Sequence, residues 1–259
     1  MTRVGYYPGC SLEGSAREYD ESARAVCEAL GVELVELEDW NCCGASAIPP
    51  PPKGKGLASR NLEIARRMGL EEVVVPCSAC FLRLKEVKGD GVQIHHLLDF
   101  LSERTEEIAG KVKRPLQGLK AAAYYGCLIV RPPEVTGAEH PENPQGMERI
   151  LEAIGAEVVP WAFKTDCCGG SVAMGRKDIG ERLVGRIVGM AKRAGAEVLV
   201  TCCPLCQYNL EVYQVQKEPV PCLYFTEAIG LAMGLGALRW FKRHLINPEG
   251  VLREKGLLG

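Results

Sequence analysis

The sequence predicts an α/β protein built twice over: two tandem halves related by a pseudo-twofold axis, each a small, mainly parallel sheet flanked by helices. Three observations predict it. Short runs rich in Val, Leu and Tyr alternate with helical periodicity along the chain, as parallel sheets with right-handed crossovers require. One cysteine order, C…CC…CxxC, occurs twice at near-equal spacing: Cys10, Cys42, Cys43, Cys77, Cys80, then Cys127, Cys167, Cys168, Cys203, Cys206. Each cysteine group follows a strand-like run, which would gather the thiols at the carboxyl edge of a sheet, where α/β proteins place their sites.

The elements follow in order. Residues 3–8 read as a strand ending at Pro8-Gly9, with Cys10 at its end. Residues 17–30 carry Ala23, Val26, Cys27 and Leu30 at helical spacing, and Gly31 stops the helix. Cys27 lies on that apolar face and reads as a core residue. Residues 32–37 form a second strand that delivers Asp39-Trp40-Asn41 to Cys42-Cys43. Gly44-Ala45-Ser46 then lets backbone approach a bulky group and offers N–H donors to its sulfurs. Pro49 to Pro52 make a stiff run, read as a rigid surface loop or as a lip over the cysteine site. A helix over 57–68 and a strand over 71–75 lead to Cys77-Ser78-Ala79-Cys80 at the start of another helix, whose macrodipole would help keep the thiolates anionic. Residues 93–108 read as an amphipathic helix carrying His95 and His96 in structural roles.

Lys111 to Pro115 break the chain, so the first domain is set at residues 1–112 and the second at 119–236, with a helical tail over 237–259. The cycle restarts with a strand over 119–126 and Cys127. The loop from Arg131-Pro132-Pro133 to Pro144 has no counterpart in the first half. A helix over 147–154 and a strand over 157–161 precede Cys167-Cys168-Gly169-Gly170; a long helix over 178–194 and a strand over 197–201 precede Cys203-Pro204-Leu205-Cys206. Residues 92–99 align with 220–227, placing Cys222 opposite Ile94 in a core position. Cys202 stands where the first half has Pro76, and reads as a bystander.

Composition narrows the function. The chain has 259 residues, 13 cysteines and a formal net charge of −2. That charge gives no electrostatic case for nucleic acid or an anionic membrane. No signal peptide is evident at the start and no apolar stretch is long enough to span a bilayer, so a cytoplasmic protein is expected. In such a chain the paired cysteines suit metal ligation better than a disulfide framework. A tetrahedral metal or a cubane cluster takes four thiolates, and each half offers five. Spacing alone does not choose between redox-silent zinc and iron–sulfur clusters that move electrons. No GxGxxG follows the first strand, so flavin or nicotinamide binding is not expected here.

These residues carry a resemblance. The run from Tyr7-Pro8-Gly9-Cys10 to Cys222-Leu223-Tyr224, with both cassettes complete and Tyr125-Gly126-Cys127-Leu128-Ile129-Val130-Arg131-Pro132-Pro133 between them, resembles the CCG domain. This is the duplicated cysteine-rich module of the B-type subunit of heterodisulfide reductase. The resemblance implies two non-cubane [4Fe–4S] clusters. Cys10, Cys42, Cys43, Cys77 and Cys80 would hold the first, and Cys127, Cys167, Cys168, Cys203 and Cys206 the second. It implies a small-molecule disulfide cleaved to two thiols between the clusters, or the reverse reaction. Electrons would come singly from a ferredoxin-like subunit of the C type, with flavin chemistry in a subunit of the A type, in an anaerobic or low-potential setting. Gly44, Gly169 and Gly170 would shape the cluster pockets. Lys164, Arg131 and Lys53 would meet an anionic substrate group, unless they are solvated surface charges. Asp166 would relay protons or cap a turn. Two alternatives stay open: an electron-transfer subunit without its own substrate, and one [4Fe–4S] cluster beside a structural zinc site.

Overall fold

A computed structural model describes residues 2–45, 55–87 and 91–258. The first half runs β1 (Thr2–Tyr6), α1 (Gly9–Glu13), α2 (Arg17–Ala29), β2 (Val32–Glu36), α3 (Lys55–Arg67), β3 (Glu72–Val75), α4 (Ser78–Lys85), β4 (Gln93–His96), α5 (Leu97–Ser102) and α6 (Thr105–Gly110). The second runs β5 (Lys120–Tyr124), α7 (Pro133–Thr136), α8 (Gly146–Ala153), β6 (Glu157–Val158), α9 (Val172–Gly175), α10 (Lys177–Arg193), β7 (Val198–Thr201), α11 (Pro204–Val212), β8 (Cys222–Tyr224) and α12 (Phe225–Met233). The tail adds α13 (Leu238–Phe241) and α14 (Glu249–Glu254).

Each half is a four-stranded parallel sheet, and the two orders are the same: β2-β1-β3-β4 and β6-β5-β7-β8. The central strands β3 and β7 are buried over Val73–Val75 and Val198–Thr201, as expected for strands covered on both faces. The duplication read from the cysteines is therefore a duplication of topology.

The expected helix over 93–108 is corrected. Gln93–His96 is a strand, with His96 paired to Val75, and helix begins only at Leu97. Ile94, Leu97, Leu98 and Leu101 mimic one helical stripe, although Ile94 belongs to the sheet. His96 makes the boundary: it is extended at φ −71°, ψ 142°, and its Nδ1 accepts the Leu98 N–H at 3.1 Å, capping α5. The strand expected over 157–161 is shorter, because Val159 ends the ladder and Trp161 turns its Nε1–H to the Ala123 carbonyl at 2.9 Å.

The halves share one core. Tyr19 of α2 stacks on Tyr224 at 4.1 Å and 7°, and its hydroxyl donates to the Cys202 carbonyl at 2.9 Å. Ser22 and Thr226 hydroxyls meet at 2.7 Å in the same seam. The residues joining the halves are pinned too, since Lys113 and Arg114 N–H both donate to the Ala232 carbonyl at 2.9 Å. Such buried contacts fix the angle between the two sheets and hence between the thiols at their edges.

Candidate metal centre

The strand ends bring all ten cassette cysteines together. In the first half Cys10 neighbours Cys42, Cys43 Sγ lies 3.1 Å from Cys80 Sγ, and Cys80 neighbours Cys77. In the second, Cys127 neighbours Cys167, Cys168 Sγ lies 3.6 Å from Cys206 Sγ, and Cys206 neighbours Cys203. Cys77 and Cys203 are neighbours across the pseudo-twofold, so the two sets come close at their buried ends.

Both sets grade from rim to interior in the same way. Cys10, Cys42 and Cys167 are exposed and Cys127 is half-buried, whereas Cys43, Cys77, Cys80, Cys168, Cys203 and Cys206 are buried. The Cys80 thiol draws Cys43 down to about 7, and the Cys127 thiol draws Cys167 down to about 6. Cys80 and Cys206 are pushed up, first by the neighbouring thiols (Cys43 and Cys77, Cys168 and Cys203) and then by burial. Cys77 and Cys203 occupy the N-caps of α4 and α11; Cys203 is pulled down, chiefly by Cys206 and then Cys77, whereas Cys77 is pushed up, chiefly by Cys203.

The surrounding backbone repeats between halves. Gly44 N–H points to Cys42 Sγ at 3.4 Å, and Gly169 N–H to Cys167 Sγ at 3.3 Å. Tyr7 OH donates to the Asn41 carbonyl at 2.8 Å, and Tyr124 OH to the Asp166 carbonyl at 2.7 Å. Each tyrosine thereby ties the strand bearing the lone cysteine to the loop bearing the pair. Gly9 and Gly126 adopt φ of +72° and +67°, and a Cβ there would stand 3.1 Å from Cys80 Sγ and 2.7 Å from Cys206 Sγ. These four residues were not assigned roles from sequence, although the echo between residues 6–10 and 123–127 held them. Asn209 was also missed: its Nδ2 donates to the Cys168 carbonyl at 3.3 Å, Cys168 Sγ at 3.5 Å and the Gly170 carbonyl at 2.9 Å.

A cleft of about 330 Å³ opens between the halves, with Ala79, Leu82 and Arg83 on one wall and Cys127, Cys167 and Leu205 on the other. Lys164 and Arg131 do not line it. Lys164 is buried, with Nζ 2.7 Å from Glu148 and 2.9 Å from the Pro144 carbonyl. Arg131 is held by the Thr165 carbonyl at 2.9 Å and Glu142 at 2.7 Å. The Asp166 carboxylate faces Arg186 at 3.9 Å. Lys53 and the Pro49–Pro52 run lie outside the described residues. Cys27 and Cys222 are buried away from the array, and burial pushes Cys27 up to about 12; Cys202 is buried beside Cys203 and turns its thiol to the Tyr125 carbonyl at 3.9 Å. His96 is buried and lowered to about 4 by desolvation; its Nε2 lies 3.2 Å from Ser78 Oγ within the first CxxC.

The donor set fits a polynuclear iron–sulfur group. It is all thiol, with glycine N–H groups aimed at sulfur and side-chain-free approaches beside Cys80 and Cys206. Among the described residues, no three His, Cys, Asp or Glu side chains converge as a site for one metal ion.

Two parallel α/β halves that pool ten thiols along one seam define a duplicated cysteine-rich domain protein. Residues 4–85 and 121–211 match the CCG cysteine-rich domain, and the chain belongs to that family. It is 35% identical to the 8-methylmenaquinol:fumarate reductase membrane anchor subunit of Wolinella succinogenes, covering 90% of this chain and 92% of that one. It is 24% identical to the B subunit of a ferredoxin/F420H2-dependent CoB–CoM heterodisulfide reductase of Methanosarcina acetivorans, over 90% of each chain. Among solved structures, a hypothetical protein from Helicobacter pylori shares the fold with a TM-score of 0.70 at 13% identity; the match covers 90% of this chain and 49% of that one. The family and these relatives support an iron–sulfur redox role. Among the described residues, no helix is long and apolar enough to cross a membrane.

Proposed function

We propose that this chain is the disulfide-reducing subunit of a cytoplasmic, heterodisulfide-reductase-like complex, with two non-cubane [4Fe–4S] clusters held by its ten cassette cysteines. The observation that carries the reading is the pair of matching five-thiol sets, the second of which puts Cys127 and Cys167 in the wall of a cleft between the halves. Five thiols per half exceed what a cubane or a zinc ion takes. When bound, the clusters would supply one-electron chemistry.

The chain's own residues do the rest. Cys43, Cys77, Cys80, Cys168, Cys203 and Cys206 would hold the clusters from the buried side, leaving the rim thiols nearest to solvent. Leu82 and Leu205 exclude water from the space between. Tyr7 and Tyr124 fix the spacing of each cysteine pair from its lone partner. A disulfide takes two electrons and two protons and leaves as two thiols. A ferredoxin-like subunit would bring the electrons and a flavin-bearing subunit would feed it.

A second reading follows from the 35% identity to a fumarate reductase anchor subunit: an electron-transfer subunit serving a partner's active site. One experiment separates the two. Anaerobically reduced protein is mixed with coenzyme M–coenzyme B, lipoyl or glutathione disulfide, and cluster absorbance is followed while thiols are counted. Reoxidation with two thiols released per two electrons is expected. No reoxidation by any of the three would favour the electron-transfer reading.

A further inference from the structure

The lining of the cleft between the halves restricts what can enter it. Ala79 and Leu82 line it from the first half, and Leu128, Val172 and Leu205 from the second, beside the thiols of Cys127 and Cys167. Val172 is 57% exposed, leaving apolar surface that a ligand in the cleft would take out of water. Apart from the thiols, the ionisable side chains in the wall, among the described residues, are Arg83 and Glu86, paired with each other at 2.9 Å. The Gly169 N–H of the wall turns to Cys167 Sγ at 3.3 Å. Lys164 and Arg131, expected to meet an anionic substrate group, are engaged with Glu148 and Glu142 and do not line the cleft. We propose that this cleft takes a small disulfide whose sulfurs carry uncharged, apolar substituents, and discriminates against charged disulfides. This names the substrate class of the disulfide-reducing reading above and rests on that reading.

The preference follows from desolvation. A carboxylate, sulfonate or phosphate brought into the cleft would leave water and would have to share Arg83 with Glu86; an ammonium group would have to share Glu86 with Arg83. Moving a charge out of water without a partner of its own is costly. An uncharged substituent avoids that cost and covers Leu82, Val172 and Leu205 instead. The volume of about 330 Å³ lies at the small end of ligand sites, which run from roughly 300 to 1,000 Å³, and suits short substituents. The S–S bond of the substrate breaks, two electrons come from the reduced protein, two protons come from solvent, and two thiols leave.

The test compares one disulfide core with three charges. Whole protein purified without oxygen is reduced with dithionite, freed of it, and mixed with dithiodipropionate, its dimethyl ester, or the dication cystamine. Each second-order rate constant for reoxidation is divided by that disulfide's rate constant with dithiothreitol, which removes differences in intrinsic reactivity. The neutral ester is expected to lead both charged compounds by about tenfold or more. Val172→Lys, with iron counted, should raise the constant for dithiodipropionate several-fold and lower that for the ester; if this variant loses iron, the wild-type comparison decides alone. Equal constants, or a lead for either charged disulfide, would overturn the inference and leave the disulfide-reducing reading standing. An iron-replete Val172→Lys protein with wild-type preferences would overturn it too, since selection would then lie outside this cleft. Reoxidation by none of the three, nor by lipoyl disulfide, would sink the disulfide-reducing reading and this inference with it.

Discussion

At the residue scale, the duplicated array sorts cysteines by position rather than by burial. Cys43 and Cys222 are both buried thiols, yet Cys43 touches Cys80 while Cys222 faces the Val220 carbonyl at 3.7 Å. Cys43→Ser and Cys168→Ser are each expected to lose the iron of their own half, measured as iron per chain after anaerobic purification. Cys222→Ala is expected to keep it. Equal iron loss in all three would mean that folding, not ligation, is being read. Gly126 offers a second test. A Cβ at that position would stand 2.7 Å from Cys206 Sγ on a backbone of φ +67°. Gly126→Ala should therefore release iron from the second half. Gly189→Ala, in mid-helix with open space around it, should instead stabilise the protein by about 0.5–1 kcal/mol in denaturant titration. The cysteine order was legible because thiols are rare and their spacing is distinctive. The tyrosine and glycine partners were not, because a positive φ or a hydroxyl aimed at a carbonyl leaves no mark in spacing.

At the element scale, helices α11 and α12 are locked by the tail. His244 meets Glu211 at 2.7 Å and Glu227 at 3.0 Å, with the Gln207 amide at 2.9 Å. Burial alone would lower its pKa, but Glu227 and Glu211 outweigh it and raise it from the ordinary 6.5 to about 10, with Glu18 of α2 adding a carboxyl nearby. A folded-state value above the unfolded one means that His244 contributes its full stability below pH 6.5. The contribution falls as pH rises towards 10. His244→Gln should cost about 3–5 kcal/mol at pH 6, because it leaves buried carboxylates unpaired. The gap between variant and wild type in anaerobic denaturant titrations should narrow steadily up to pH 10; a gap that widens with pH would contradict the assignment. This lock brings together residues 17 to 37 positions apart, which periodicity does not reveal. The same blindness merged β4 with α5: one apolar stripe through Ile94, Leu97, Leu98 and Leu101 fits both a helix and a strand followed by a helix, and only the His96 cap decides.

At the scale of the whole molecule, function depends on two equal sheets meeting along a buried seam. The repeat and its parallel topology could be read from strand-helix alternation, because each cysteine group marks a strand end. The common core could not. Tyr19, Ser22, Tyr224 and Thr226 look like ordinary members of separate halves until α2 and α12 are seen packed together. Nor could the fates of Lys164 and Arg131, whose charges are taken up by Glu148 and Glu142. With those cations engaged elsewhere, the cleft between the halves keeps mainly apolar walls and the ion pair Arg83–Glu86.

The most direct measurement is the iron, sulfide and zinc content of protein purified without oxygen. Two clusters on ten thiolates should give roughly eight iron and eight sulfide per chain, with no zinc. Roughly four iron with one zinc would leave a single redox site and contradict a pair of clusters across the cleft, and zinc alone would remove the redox function.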